Sequence, residues 1–167
     1  VLATFLILSP LYPSQDYNLD LKWEMFPKAS ELLAVTAFGK YIKDPINEVT
    51  LASSTNDISF INTGDVGTVY GVELELKKDL YTFDDAGSKI SVGGNSAWMK
   101  TNQKLSDEKV REETIYNINL TYAESSFTGA SNFLANADLS YTKKWNNNQQ
   151  LMATAVYSYF SDRIYAL

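Results

Sequence analysis

Apolar and polar residues alternate with a period of two along most of this chain, the pattern of extended strands with two unlike faces. At 17–25, Tyr17, Leu19, Leu21, Trp23 and Met25 share one face, and Asn18, Asp20, Lys22 and Glu24 the other. At 68–77, Tyr70, Val72, Leu74 and Leu76 alternate with Gly71, Glu73, Glu75 and Lys77. The same period recurs at 31–42, 89–99, 114–122, 132–141 and 151–160, so the spacing predicts about seven strands and no helix. Successive charges on one face do not belong against a dry core, where an unpaired charge is costly.

The joints between strands fall into two kinds. Pro27 to Ser30, Asp84 to Ser88 and Lys143 to Gln149 are short and rich in turn formers. Stretches 43–59 and 100–113 are long and polar. Up-and-down outer-membrane barrels sort their connections in this way, with tight turns at one end and long loops at the other. An antiparallel sheet with one face on a core and one in water satisfies the alternation equally well. The sorted loops favour an all-β, antiparallel up-and-down transmembrane β-barrel. Residues 1–8 are apolar but too few to span a bilayer as a helix, and they lack a basic flank and a small-residue cleavage pattern.

Composition narrows the chemistry. The formal charge of −6 argues against nucleic acid as a partner, which needs a basic surface. With no Cys and no His, thiol and imidazole nucleophiles, His-based triads and most zinc sites are excluded. No catalytic residue, cofactor site or metal site stands out, and the chain does not read as an enzyme. Aromatic residues make up 13% of the chain, with Tyr dominating at 11 residues, which suits surfaces that are part apolar and part wet. Outer-membrane barrels and carbohydrate-binding sandwiches both have such surfaces.

The segment from Leu11 to Pro27, LYPSQDYNLDLKWEMFP, resembles a stretch of the TonB-dependent outer-membrane receptors, especially those of Bacteroidetes-type bacteria. Further segments resemble the same barrel in the same order: ELLAVTAFGKYIKDPI from Glu31, VYGVELE from Val69, GASN from Gly129 with NADL from Asn136, and YSYFSDRIY from Tyr157. Residues 1–10 do not match the polar segment expected upstream. The resemblance implies residence in the bacterial outer membrane. It also implies import of a scarce nutrient (a metal chelate, vitamin, glycan or peptide) by energy-coupled displacement of a plug. The implied partners are outer-membrane lipid, the rest of the barrel and its plug, and an inner-membrane energy-transducing complex; glycan-importing relatives add a surface lipoprotein. Barrels of this kind have about 22 strands, so residues 1–167 are expected to be one part of a barrel domain, without a plug. The alternatives are a complete eight-stranded structural or adhesive barrel and a soluble β-sandwich that binds carbohydrate.

On the barrel reading, Asp20, Lys22, Glu24, Glu73, Glu75 and Lys77 are candidates to face the lumen. Trp23, Tyr70, Val72, Leu74, Trp98 and Trp145 are candidates for the lipid face and its aromatic girdle. Asp84-Asp85-Ala86-Gly87-Ser88 lacks the ligand spacing of a calcium loop and reads as a turn. Gly93-Gly94 has no helix start after it to cradle phosphate, and reads as a strand bend or a close approach. Lys100 to Glu113 reads as a solvated loop.

Overall fold

A computed structural model of the chain describes residues 11–50, 58–113, 120, 122–145 and 149–164. Its elements in chain order are β1 (Gln15–Met25), β2 (Leu32–Lys43), β3 (Ile46–Thr50), β4 (Ile58–Asn62) and β5 (Val66–Thr82). There follow β6 (Lys89–Lys104), α1 (Asp107–Glu113), β7 (Glu124–Ser125), β8 (Phe133–Lys144) and β9 (Gln150–Phe160). One antiparallel sheet of seven strands runs in the order β1-β2-β5-β6-β8-β9, with β7 also paired to β6. Strands β3 and β4 form a separate hairpin. Between the described strands the sheet does not close: β1 and β9 are its edges.

The local chemistry explains the short joints. The amide of Glu31 donates to the carbonyl of Lys28 across the first turn. In the second, Gly87 takes φ 82°, a left-handed conformation that glycine adopts without steric cost. The Asp84 carboxylate accepts from the Ser88 amide at 2.9 Å.

Three readings of the sequence need correction. Stretch 43–59 is not loop throughout, because β3 begins at Ile46 and pairs with β4. Lys100 to Glu113 is not a solvated loop: β6 continues to Lys104, and α1 then forms a helix where none was expected. Asp107 and Glu108 in its first turn and Arg111 in its last complement the helix dipole. Third, β5 runs on past Lys77 to Thr82. A bulge between Asp79 and Tyr81 breaks the alternation there but keeps the pairing with β6. The strand expected at 114–122 lies outside the described residues apart from Leu120 and Tyr122, as do the apolar opening at 1–8 and the polar run at 53–57.

The registers assign every strand residue to a face. One row links Lys22, Thr36, Glu73, Ala97, Leu134 and Phe160, and the next links Glu24, Ala34, Glu75, Asn95, Asn136 and Ser158. Between these two rows, on the opposite face, run Trp23, Val35, Leu74, Ser96, Ala135 and Tyr159. The sheet thus has a charged face and an apolar face.

No apolar core lies against the sheet among the described residues. The buried apolar side chains are Ala34 and Ala97 within it, and Pro45, Val49, Ile61 and Val110 in the connections at its loop end. Leu19, Leu21, Leu74 and Tyr157 are all exposed. A soluble sandwich would bury its apolar faces between two sheets; this chain does not.

Candidate functional site

The six charged positions expected to face the lumen share one face of the sheet. Asp20, Lys22 and Glu24 on β1 share a face with Glu73, Glu75 and Lys77 on β5, across Thr36 and Ala34 of β2. Lys22 Nζ lies 2.7 Å from Glu24 Oε1, and Lys77 Nζ lies 3.2 Å from Glu75 Oε1. Each lysine therefore answers a carboxylate two residues away on its own strand. Asn95 and Asn136 continue the polar surface, joined by a 2.9 Å bond from Asn136 Nδ2 to Asn95 Oδ1.

Two adjoining clefts occupy this face. The smaller, about 310 Å³, is lined by Lys22, Thr36, Glu73, Glu75 and Asn95 among others. The larger, about 740 Å³, extends toward the loop end between Asp16, Asp20, Lys40, Phe38 and Met99, and is bounded there by Phe127 and Ala130. Phe127 enters this face because Gly67 leaves space for it: a Cβ at Gly67 would collide with the ring. The amide of Phe127 donates to Thr101 Oγ1 at 3.1 Å.

The loop end is built as a packed cap. Asn47 and Gln103, both buried, exchange side-chain amide bonds of 2.6 and 3.1 Å, and Asn47 also donates to Thr63 at 2.6 Å. Gln103 donates to the carbonyl of Ser126 at 3.1 Å. Lys109 of α1 sits 2.6 Å from Asp44 and 2.7 Å from Asp65, at the two ends of the connection between β2 and β5. Val110 of α1 is fully buried, and the Ser106 amide donates to the carbonyl of Thr63 at 2.8 Å. The two long connections are thereby fastened to each other.

The opposite end is fastened by charge. Asp79 accepts from Ser30 at 2.6 Å, from Ser91 at 2.7 Å and from Lys89 at 2.7 and 2.9 Å. Lys143 Nζ lies 2.8 Å from Asp84 Oδ2. This hydrogen bond, with help from Ser88, holds the Asp84 carboxyl well below the usual carboxylate range.

Trp23, Tyr70, Val72, Leu74 and Trp98 all lie on the apolar face. Trp145 stands just past β8, in the turn to β9, and is exposed. Aromatic rings border that face at both ends. Toward the loops stand Tyr17 against Tyr41 at 6.2 Å, then Tyr70 and Trp98, then Phe133 against Tyr159 at 6.2 Å. Toward the turns, Phe83 lies 5.0 Å from Tyr81 and 6.0 Å from Tyr141.

Asp16, Phe38, Lys40 and Phe127 were not singled out from the sequence. The first three follow from alternation once β1 is extended to Gln15 and β2 is set in register. Phe127 follows a two-residue strand and carries no periodic signal. Among the described residues no group of three or more potential metal ligands is clustered, and no helix is long and apolar enough to cross a membrane.

A single open sheet with one apolar, ring-bordered face and one charged face has the two-sided pattern of a transmembrane barrel wall. The sequence model of the family described as TonB dependent receptor-like, beta-barrel, matches residues 11–166. The chain belongs to that family. Members are receptors of the bacterial outer membrane that work with a plug and the TonB complex. This chain supplies about seven strands of such a barrel. No curated protein and no solved structure matches it.

Proposed function

We propose that this chain forms one arc of the wall of an energy-coupled importer, with its charged face toward the lumen and its apolar face toward lipid. The observation that carries this reading is the register. It collects Asp20, Lys22, Glu24, Glu73, Glu75 and Lys77 on one face and Leu21, Trp23, Val72 and Leu74 on the other. A cationic side chain at mid-bilayer costs about 2–4 kcal/mol and a carboxylate somewhat less, so the charged face belongs in a wet interior. In this reading the cargo is a scarce nutrient that passes along the charged wall when the plug is pulled aside. The long connections face outward and the short turns face the periplasm. The charged clefts also suit a hydrated plug surface, and any capping lipoprotein would rest on the loop end.

Single labels at Val72→Cys and Glu73→Cys in the full receptor test the assignment. A lipid-soluble quencher should act on the Val72 label and a water-soluble one on the Glu73 label. Stronger lipid quenching at Glu73 would reverse the two faces. Import itself is tested by deleting the receptor. Growth should fail on one scarce nutrient supplied alone, and uptake by the intact strain should stop when the inner-membrane proton gradient is collapsed.

A further inference from the structure

We infer that the loop end of the apolar face docks the anionic, phosphorylated headgroups of outer-leaflet lipid through Lys43, Lys100 and Lys104. The inference rests on the sidedness proposed above, with the long connections outside the cell.

The registers put all three lysines on the apolar face, beyond its loop-side rings. Lys43 lies two residues past Tyr41 on β2, and Lys100 lies two residues past Trp98 on β6, directly across from Tyr70. Lys104 follows on the same side of β6 and pairs with Glu124 of β7. Each of the three is exposed. No carboxylate of the described residues lies within ion-pair distance of any of them, although the chain carries six more acidic than basic residues. The acids beside them are engaged elsewhere: Glu124 accepts from Asn102 at 3.1 Å, and Asp44, next to Lys43, holds Lys109 at 2.6 Å.

Of the nine other lysines, Lys22, Lys28, Lys77, Lys89, Lys109 and Lys143 have carboxylate partners, and Lys40, Lys78 and Lys144 have none among the described residues. Three unanswered cations just outside a belt of Tyr and Trp rings sit where a bilayer carries its headgroups. Strand geometry separates Lys100 from Lys104 by about 13 Å and Lys43 from Lys104 by about 10 Å, a spread matched to a headgroup with more than one phosphate. Charge complementarity therefore selects anionic lipid over a neutral apolar partner. Each lysine near such a surface is worth about a fivefold gain in binding.

The test uses the full receptor in detergent, titrated with diphosphoryl lipid A and with phosphatidylcholine, and read by native mass spectrometry. The combined variant Lys43→Gln, Lys100→Gln, Lys104→Gln should lose lipid A binding by about a hundredfold. The control Lys28→Gln, Lys78→Gln at the turn end should bind as the parent does. Equal retention of lipid A by the triple variant and the parent would overturn the inference, as would equal loss in the control. Sidedness is read separately, by labelling Glu112→Cys on exposed α1 with a membrane-impermeant maleimide in intact cells. Labelling there with unchanged lipid binding would sink the docking site alone; no labelling would sink the sidedness and the docking site together.

Discussion

Asp84 shows how one side chain can secure a turn. Its carboxylate accepts from Lys143 at 2.8 Å and from the Ser88 amide at 2.9 Å, and Ser88 Oγ in turn accepts from the Lys144 amide at 3.0 Å. The turn after β5 is thereby tied to the end of β8. The carboxyl is held below its ordinary value chiefly by Lys143, so its contribution is complete above the unfolded-state pKa of about 3.9. That contribution fades as pH falls below that value toward the folded-state one. Asp84→Asn should therefore lower the thermal midpoint of the full receptor at pH 7, and the gap to the parent should narrow below about pH 3. A gap that stays constant down to pH 2 would assign the effect to something other than the charge. The sequence already marked this segment as a turn, since Asp-Asp-Ala-Gly-Ser suits little else. The partner was hidden, because Lys143 is 59 residues away and only the barrel register brings it close. Gly93 was legible in a similar half-measure. The close approach it permits is to the Asp138 carboxylate, which lies where a Cβ at Gly93 would be.

At the scale of elements, the strands that alternate cleanly were legible to within a few residues. β1, β2, β8 and β9 have one face of each kind, or short polar joints at their ends, and their boundaries follow the pattern. The ends of β5 and β6 were not legible, for two different physical reasons. At Lys77-Lys78-Asp79-Leu80 the bulge adds a residue and shifts the phase, so a period-two reading stops too early. Past Met99, β6 leaves the apolar band and becomes part of the cap, where Thr101 and Gln103 are buried polar residues held by side-chain bonds. Buried amides in a charged stretch look like loop in sequence. The cap predicts coupled behaviour. Gln103→Leu would leave the Asn47 amide partly unanswered in a buried site, costing about 1–3 kcal/mol. Because Asn47 lies in the β3–β4 hairpin and Gln103 at the end of β6 that leads into α1, that one change should speed hydrogen exchange in both β3–β4 and α1. Faster exchange in only one of them would show that the two connections are independent.

For the whole molecule, the decisive quantity is the backbone at the sheet edges. β1 and β9 are each 11 residues long, enough to cross a bilayer, and among the described residues each pairs with a neighbour on one side only. The outward-pointing N–H and C=O groups on their free sides find no water in hydrocarbon, and each unsatisfied group there costs several kcal/mol. Bending the sheet until β1 meets β9 would answer those groups. The six strands from β1 to β9, with the two-residue β7 beside β6, would make a narrower tube than the eight-stranded barrels whose interiors side chains already fill. That tube would have to hold Asp20, Lys22, Glu24, Glu73, Glu75 and Lys77 with little room for water. Burying so many charges in a tight interior costs more than their two short ion pairs return. Residues 1–167 alone should therefore aggregate on refolding into detergent, while the full receptor inserts with these strands as part of a wider wall. Refolding followed by size-exclusion chromatography and gel mobility with and without heating decides the matter. A monodisperse monomer whose mobility shifts on heating would mean that the chain closes by itself, and would revive the small-barrel alternative.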